Sequence, residues 1–89
     1  MSWNLEVSPE FKRDYQKRCA KDAGFREAVD KKVAQLRENP MHYKPLRKPL
    51  QGLRRVHVMG AFVIVFEPVE GRHVVRLLRL AHHDEAYGL

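Results

Sequence analysis

Apolar and polar residues alternate near the start of the chain: in WNLEV, residues 3–7, Trp3, Leu5 and Val7 are separated by Asn4 and Glu6. Successive strand side chains point to opposite faces, so a period of two predicts a half-buried β-strand. Ser8-Pro9 follows. Serine is a good helix N-cap, and proline at the first helical position lacks only an N–H that would have no partner there, so a helix is predicted to begin here. Along it, Phe11, Tyr15, Cys19 and Ala23 recur at intervals of four and form a narrow apolar stripe with basic residues between them. Gly24 can end that helix in a left-handed conformation. The pattern resumes at Phe25, Val29, Val33 and Leu36, predicting a second helix that returns antiparallel to the first and stops at Asn39-Pro40.

Periodicity is lost in NPMHYKPLRKPLQGL, residues 39–53, which holds three prolines. Such a long connection in a small domain is often functional, and it equally suits a packed irregular segment pinned by Leu46, Leu50 and Leu53. The following RRVHVMGAFVIVFEPVEGRHVVRLLRL reads as three strands, with turns near Met59-Gly60 and from Pro68 to Gly71. Short turns imply an antiparallel meander. In RRVHV, alternation sends Arg55 and His57 to one face and Val56 and Val58 to the other. The predicted class is α+β, in the order β-α-α-β-β-β. An antiparallel sheet packs its apolar face on an amino-terminal helical hairpin and leaves an open, basic face, all within a single domain of residues 1–89.

Charge sharpens this picture. Seventeen Lys and Arg against eleven Asp and Glu give +6, and no acidic residue lies between Glu38 and Glu67, where Lys44, Arg47, Lys48, Arg54 and Arg55 fall. A patch of one sign attracts polyanions, so nucleic acid or an acidic protein is the expected partner; a merely solvated basic surface is the plainer alternative. Cys19 is the only cysteine. An intrachain disulfide and a thiolate zinc cluster are therefore excluded, which fits a reducing, cytoplasmic setting. The opening lacks a signal-peptide pattern, and no apolar run approaches the ~20 residues of a membrane span.

The element order, together with PLQGLRRVHV, FVIVFE, VVRLLRL and HHDEAY, resembles the RelE/ParE superfamily of toxins over nearly the whole chain. The resemblance implies a compact fold whose concave basic face receives RNA. It also implies a type II toxin that cuts messenger RNA in the ribosomal A site and is silenced by a cognate antitoxin. Cleavage by the RNA's own 2′-hydroxyl needs a base, positive charge on the phosphorane-like transition state and an acid for the departing 5′-oxygen. Histidine suits the proton transfers and arginine the charge. No metal or other cofactor is required. His57 lies beside Arg55 on the polar face. His83 follows the last strand near where this family places a catalytic Arg or His, and Tyr87 matches its carboxy-terminal aromatic, able to stack on an extruded base. The expected catalytic set is therefore His57, His83, Tyr87 and Arg55, with Lys44, Arg47, Lys48, Arg54, Arg79 and His82 binding RNA.

Plainer roles compete with these. His57 also suits a solvent-facing strand position, Tyr87 a core anchor, and Asp84 and Glu85 the first turn of a final helix. His82 and His83 could ligate a metal with Asp84, but neighbours in an extended segment point to opposite sides, so none is expected there. Lys48 occupies a loop position resembling a catalytic histidine of some relatives, and Val63 stands where others carry a phosphate-binding arginine. Partial loss of catalytic groups would favour a binding module that holds only RNA or antitoxin. The ParE branch, which poisons DNA gyrase, lacks the acid-base set offered by His57, His83 and Tyr87.

Overall fold

In the computed structural model, residues 2–86 are described. Strand β1 (Asn4–Val7) leads into helices α1 (Pro9–Cys19) and α2 (Ala23–Glu38), followed by β2 (Arg54–Val58), β3 (Phe62–Val69), β4 (Val74–His82) and the short helix α3 (His83–Ala86). The sheet order is β1-β4-β3-β2. β2, β3 and β4 form the expected antiparallel meander, while β1 pairs in parallel with β4 at the far edge. A parallel neighbour requires a crossover, and the helical hairpin supplies part of the chain between them.

Local capping explains the helices. The Ser8 hydroxyl accepts the Phe11 N–H at 3.0 Å, and Pro9 opens α1. Gly24 does not end this helix. α1 stops at Cys19, and Asp22 caps α2 by accepting the Phe25 N–H at 2.9 Å, so Ala23 and Gly24 belong to the first turn of α2. A carboxylate that satisfies an orphan N–H outweighs the stop signal of a glycine two residues later. α2 ends at Glu38, before Pro40.

The helices cover one face of the sheet. Phe11, Cys19, Phe25, Val29 and Leu36 pack with Val56, Val58, Ile64, Phe66, Val75, Leu77 and Leu80. Tyr43 closes this core from the 39–53 connection, its ring edge-on to Phe66 at 5.6 Å. Val7, expected on the apolar face, is largely exposed at the sheet edge.

The opposite face departs from the open, basic surface expected of it. Val63, Val65, Ala81 and Ala86 are fully buried there, with Leu53 and Leu78 against them. Apolar residues occupy both faces of β3, so the tail returns over the sheet as α3 and removes that second face from water. The Leu77-Leu78 doublet has the same origin. Phe66 pairs with Leu77 and Val65 with Arg79, leaving Leu78 as the extra residue of a β-bulge. Leu77 and Leu80 therefore both reach the helix-side core, while Leu78 joins the smaller cluster.

The hairpin loops also differ in detail. The Met59-Gly60 turn is present, with φ of 52° and 78°. Pro68 remains in β3, and the next turn is a 3-10 segment, Glu70–Arg72, closed by His73 in the left-handed region. His73 stacks on Trp3 at 4.5 Å, which fixes the entry to β1 against that turn.

Candidate nucleic-acid interface

The basic connection folds against β2. Pro45 bridges Arg54, the Leu46 N–H donates to the Leu53 carbonyl at 2.9 Å, and the Leu50 N–H donates to the Arg47 carbonyl at 2.8 Å. These bonds hold a loop whose leucines anchor it while its cations reach outward. A groove of about 460 Å³ lies between loop and strand, with Lys44, Arg47, Lys48 and Arg55 among its lining and Leu46 and Leu50 on its apolar side. Among the described residues, no carboxylate lines it. Four cations around one concavity add their fields, and walls of low dielectric concentrate them.

The remaining predicted residues separate into distinct environments. His57 lies on the same face of β2 as Arg55, about 7 Å along the strand for a two-residue advance, and both are exposed. Its sheet neighbours are Val63 and then Ala81. The ground beside this imidazole is therefore dry and apolar, with α3 packed over it. Arg54 points the other way. It pairs with Phe66 on the helix side and donates to the Tyr43 carbonyl, so it holds the loop instead of facing the groove. Arg79 is likewise engaged, its Nε lying 2.7 Å from Asp14 Oδ2. Hydrogen bonding to Asp14 raises the guanidinium's pKa, holding it more firmly charged than usual despite partial burial. Tyr87 lies outside the described residues.

At the tail, the strand-to-helix transition overturns the expectation that His82 and His83 diverge. β4 ends at His82 and α3 begins at His83, so the chain is not extended between them and the rings stack at 4.6 Å. The His83 N–H donates to the Ala61 carbonyl at 2.9 Å, tying the tail to the β2–β3 turn. His82 lies edge-on to Phe62 at 5.7 Å, and its Nδ1 accepts the Asp84 N–H at 3.3 Å. The imidazole of His82 thus caps α3. Asp84 instead directs its carboxylate back toward both rings, 3.0 Å from His83 Nδ1.

Asp14, Arg18 and Phe62 escaped sequence reasoning. Arg18 places its guanidinium 4.9 Å from the centre of the Phe62 ring, behind His82. Asp14 meets β4 only through the tertiary fold. Neither relationship has a periodic signal, since each joins residues far apart along the chain.

This architecture has known relatives. The pattern of the ParE toxin of type II toxin-antitoxin systems (parDE) matches residues 5–87. A Methanocaldococcus jannaschii protein bearing the name RelE4, as a candidate toxin, is 35% identical over 85 residues, covering 96% of this chain and 90% of its own. Among solved structures, the RelBE2 toxin-antitoxin complex from Mycobacterium tuberculosis superposes with a TM-score of 0.75 at 20% identity, covering 93% of this chain and 100% of the other. A metal-bound toxin from Helicobacter pylori gives 0.76 at 27% identity, covering 96% and 99%. The chain belongs to the RelE/ParE superfamily of type II toxin-antitoxin toxins.

Proposed function

We propose that this toxin is a messenger-RNA endonuclease acting in the ribosomal A site. The observation that carries this reading is the four-cation groove, whose lining residue Arg55 shares its face of β2 with His57, two residues along the strand. A phosphate backbone entering along the groove meets Lys44, Arg47 and Lys48 before it reaches the β2 imidazole. Such contacts position the strand without reading its sequence.

The RNA supplies its own nucleophile. The 2′-hydroxyl attacks the adjacent phosphorus while its proton passes to a base, the P–O5′ bond breaks, and an acid protonates the leaving 5′-oxygen. The products are a 2′,3′-cyclic phosphate and a free 5′-hydroxyl. His57 and His83 provide the two proton-transfer groups, and Arg55 stabilises the doubly charged phosphorane with a fixed positive fork. Val63 carries no charge, which makes Arg55 the strand cation for this task. Tyr87 stacks on the displaced base, as the resemblance of HHDEAY implies.

An antitoxin silences the toxin by covering the basic groove with an acidic or amphipathic segment. Support comes from the Mycobacterium tuberculosis relative, which is a toxin-antitoxin complex, and from the net charge of +6, which favours rapid encounter with an anionic partner. The family description parDE favours a second reading, in which the target is DNA gyrase.

Primer extension on messenger RNA from translating extracts tests the choice. Cuts within codons that appear only on ribosome-occupied messages are expected. Intact RNA with accumulated gyrase-linked DNA breaks would select the second reading, and neither lesion would leave an RNA- or antitoxin-binding module.

A further inference from the structure

His82, His83 and Asp84 form a cluster outside the lining of the basic groove. We propose that it is a binding site for a divalent transition-metal ion of the zinc or copper class, held by one nitrogen from each imidazole and the Asp84 carboxylate. The argument begins with the backbone. Because β4 gives way to α3 between the histidines, both rings lie on the same side, stacked 4.6 Å apart. One ligand atom from each residue can be chosen so that all lie within 4.8 Å of one another.

Separations within the cluster match the chemistry. Tetrahedral zinc holds nitrogen and oxygen ligands at about 2.0–2.2 Å, which sets neighbouring ligands roughly 3.3–3.6 Å apart. Asp84 Oδ2 lies 3.5 Å from His82 Nδ1, and Asp84 Oδ1 lies 3.0 Å from His83 Nδ1. The first falls within the required edge and the second, to the other carboxylate oxygen, about 0.3 Å short of it, and the exposed side chains of His83 and Asp84, 48% and 73% accessible, have room to adjust around an ion. His82 must exchange its weak 3.3 Å bond from the Asp84 N–H for the ion. Two imidazoles with one carboxylate suit zinc or copper, whereas magnesium prefers an all-oxygen octahedron. Three protein ligands leave a fourth position for water.

Occupation withdraws the lone pair of His83. An ion at this site therefore opposes the proton transfer given to His83 above; that consequence rests on the nuclease reading, while binding itself does not.

Isothermal titration of the tag-free full chain with zinc chloride tests binding without reference to activity. One ion per chain is expected, with affinity reduced by about 10-fold or more in His82→Ala, His83→Ala and Asp84→Asn, and no displacement by excess magnesium. Binding unchanged in all three variants, or no binding to the wild type, would overturn the site. Cobalt(II) added to the wild-type protein gives a second readout that needs no variant: an intense visible spectrum of tetrahedral coordination is expected, and a weak octahedral one would also sink the proposal. Retained cleavage in zinc despite stoichiometric binding would count against the nuclease role of His83 and leave the metal site standing.

Discussion

Asp14 and Arg79 join α1 to the part of β4 that β1 does not reach. β1 ends at Val7, paired with Leu77, yet β4 continues to His82. Helix-side groups take up the exposed edge: the Ser8 N–H and hydroxyl donate to the Leu77 and Leu78 carbonyls, each at 3.0 Å, and Asp14 Oδ2 accepts the Leu80 N–H at 2.9 Å. Asp14 also lies 2.7 Å from Arg79 Nε. Asp14→Ala should therefore leave a strand N–H and a half-buried guanidinium without this acceptor, costing about 1–3 kcal/mol. Urea denaturation measures the loss; an unchanged midpoint would show that water replaces the carboxylate fully.

The groove should act through charge. Reversing Arg47 and Lys48 to Glu is expected to weaken ribosome or RNA association with little effect on folding, since both residues are exposed. The slope of log K against log salt should become shallower by about 0.7 for each single-strand phosphate that is no longer neutralised. An unaltered slope would assign these cations another partner.

His57→Ala and His83→Ala should each reduce cleavage by roughly 10²-fold or more, the scale of a lost general acid or base. Circular dichroism should stay native because both side chains are exposed. If His83→Ala keeps full activity while His57→Ala does not, His83 leaves the mechanism.

The β2–β3 turn carries a stability reserve. Met59 adopts φ of 52° and is 67% exposed, a left-handed conformation without compensating burial. Met59→Asn should relieve about 1 kcal/mol of this strain, which corresponds to a rise of roughly 4–8 °C in Tm for a chain of this size. Thermal denaturation would contradict this if Tm fell.

Tyr15 makes one part of the stability sensitive to alkali. Its hydroxyl donates to Asp30 Oδ1 at 2.8 Å, and burial, reinforced by that bond and charge, pushes its pKa from 10.0 up to about 12. The neutral phenol is favoured in the fold. Its contribution is therefore complete below the unfolded value and disappears as pH rises through the folded one. Between these values, wild-type protein should lose more stability than Tyr15→Phe in matched urea titrations; parallel curves would refute the linkage.

The helices and meander were legible because each rests on a short-range signal. Ser8-Pro9 marks a start, Asn39-Pro40 a stop, and the alternation of Val56 and Val58 a core-facing side. Gly24 misled because Asp22 acts through a side-chain bond that overrides the glycine. The basic loop was visible as a run without carboxylates, but its grouping of Lys44, Arg47 and Lys48 with Arg55 needed the loop to fold back on β2. Arg54 and Arg79 looked equivalent to the loop cations Lys44, Arg47 and Lys48. Only tertiary contacts distinguish them, since Tyr43 occupies one and Asp14 the other. The stacked histidines stayed hidden because strand geometry was extended one residue too far.

A strand enclosed on both sides has no silent positions. In β3, Val63 and Val65 face the tail while Ile64 and Phe66 face the helices, and all four are completely buried. Replacing Val63 by arginine would not simply add a phosphate ligand, because the new side chain would have to evict Ala86 and unroof its neighbours. New catalytic charge is therefore accommodated more readily on the exposed face of β2, the 44–50 loop or the exposed residues 83–85 of α3, where the target can be changed without rebuilding the framework.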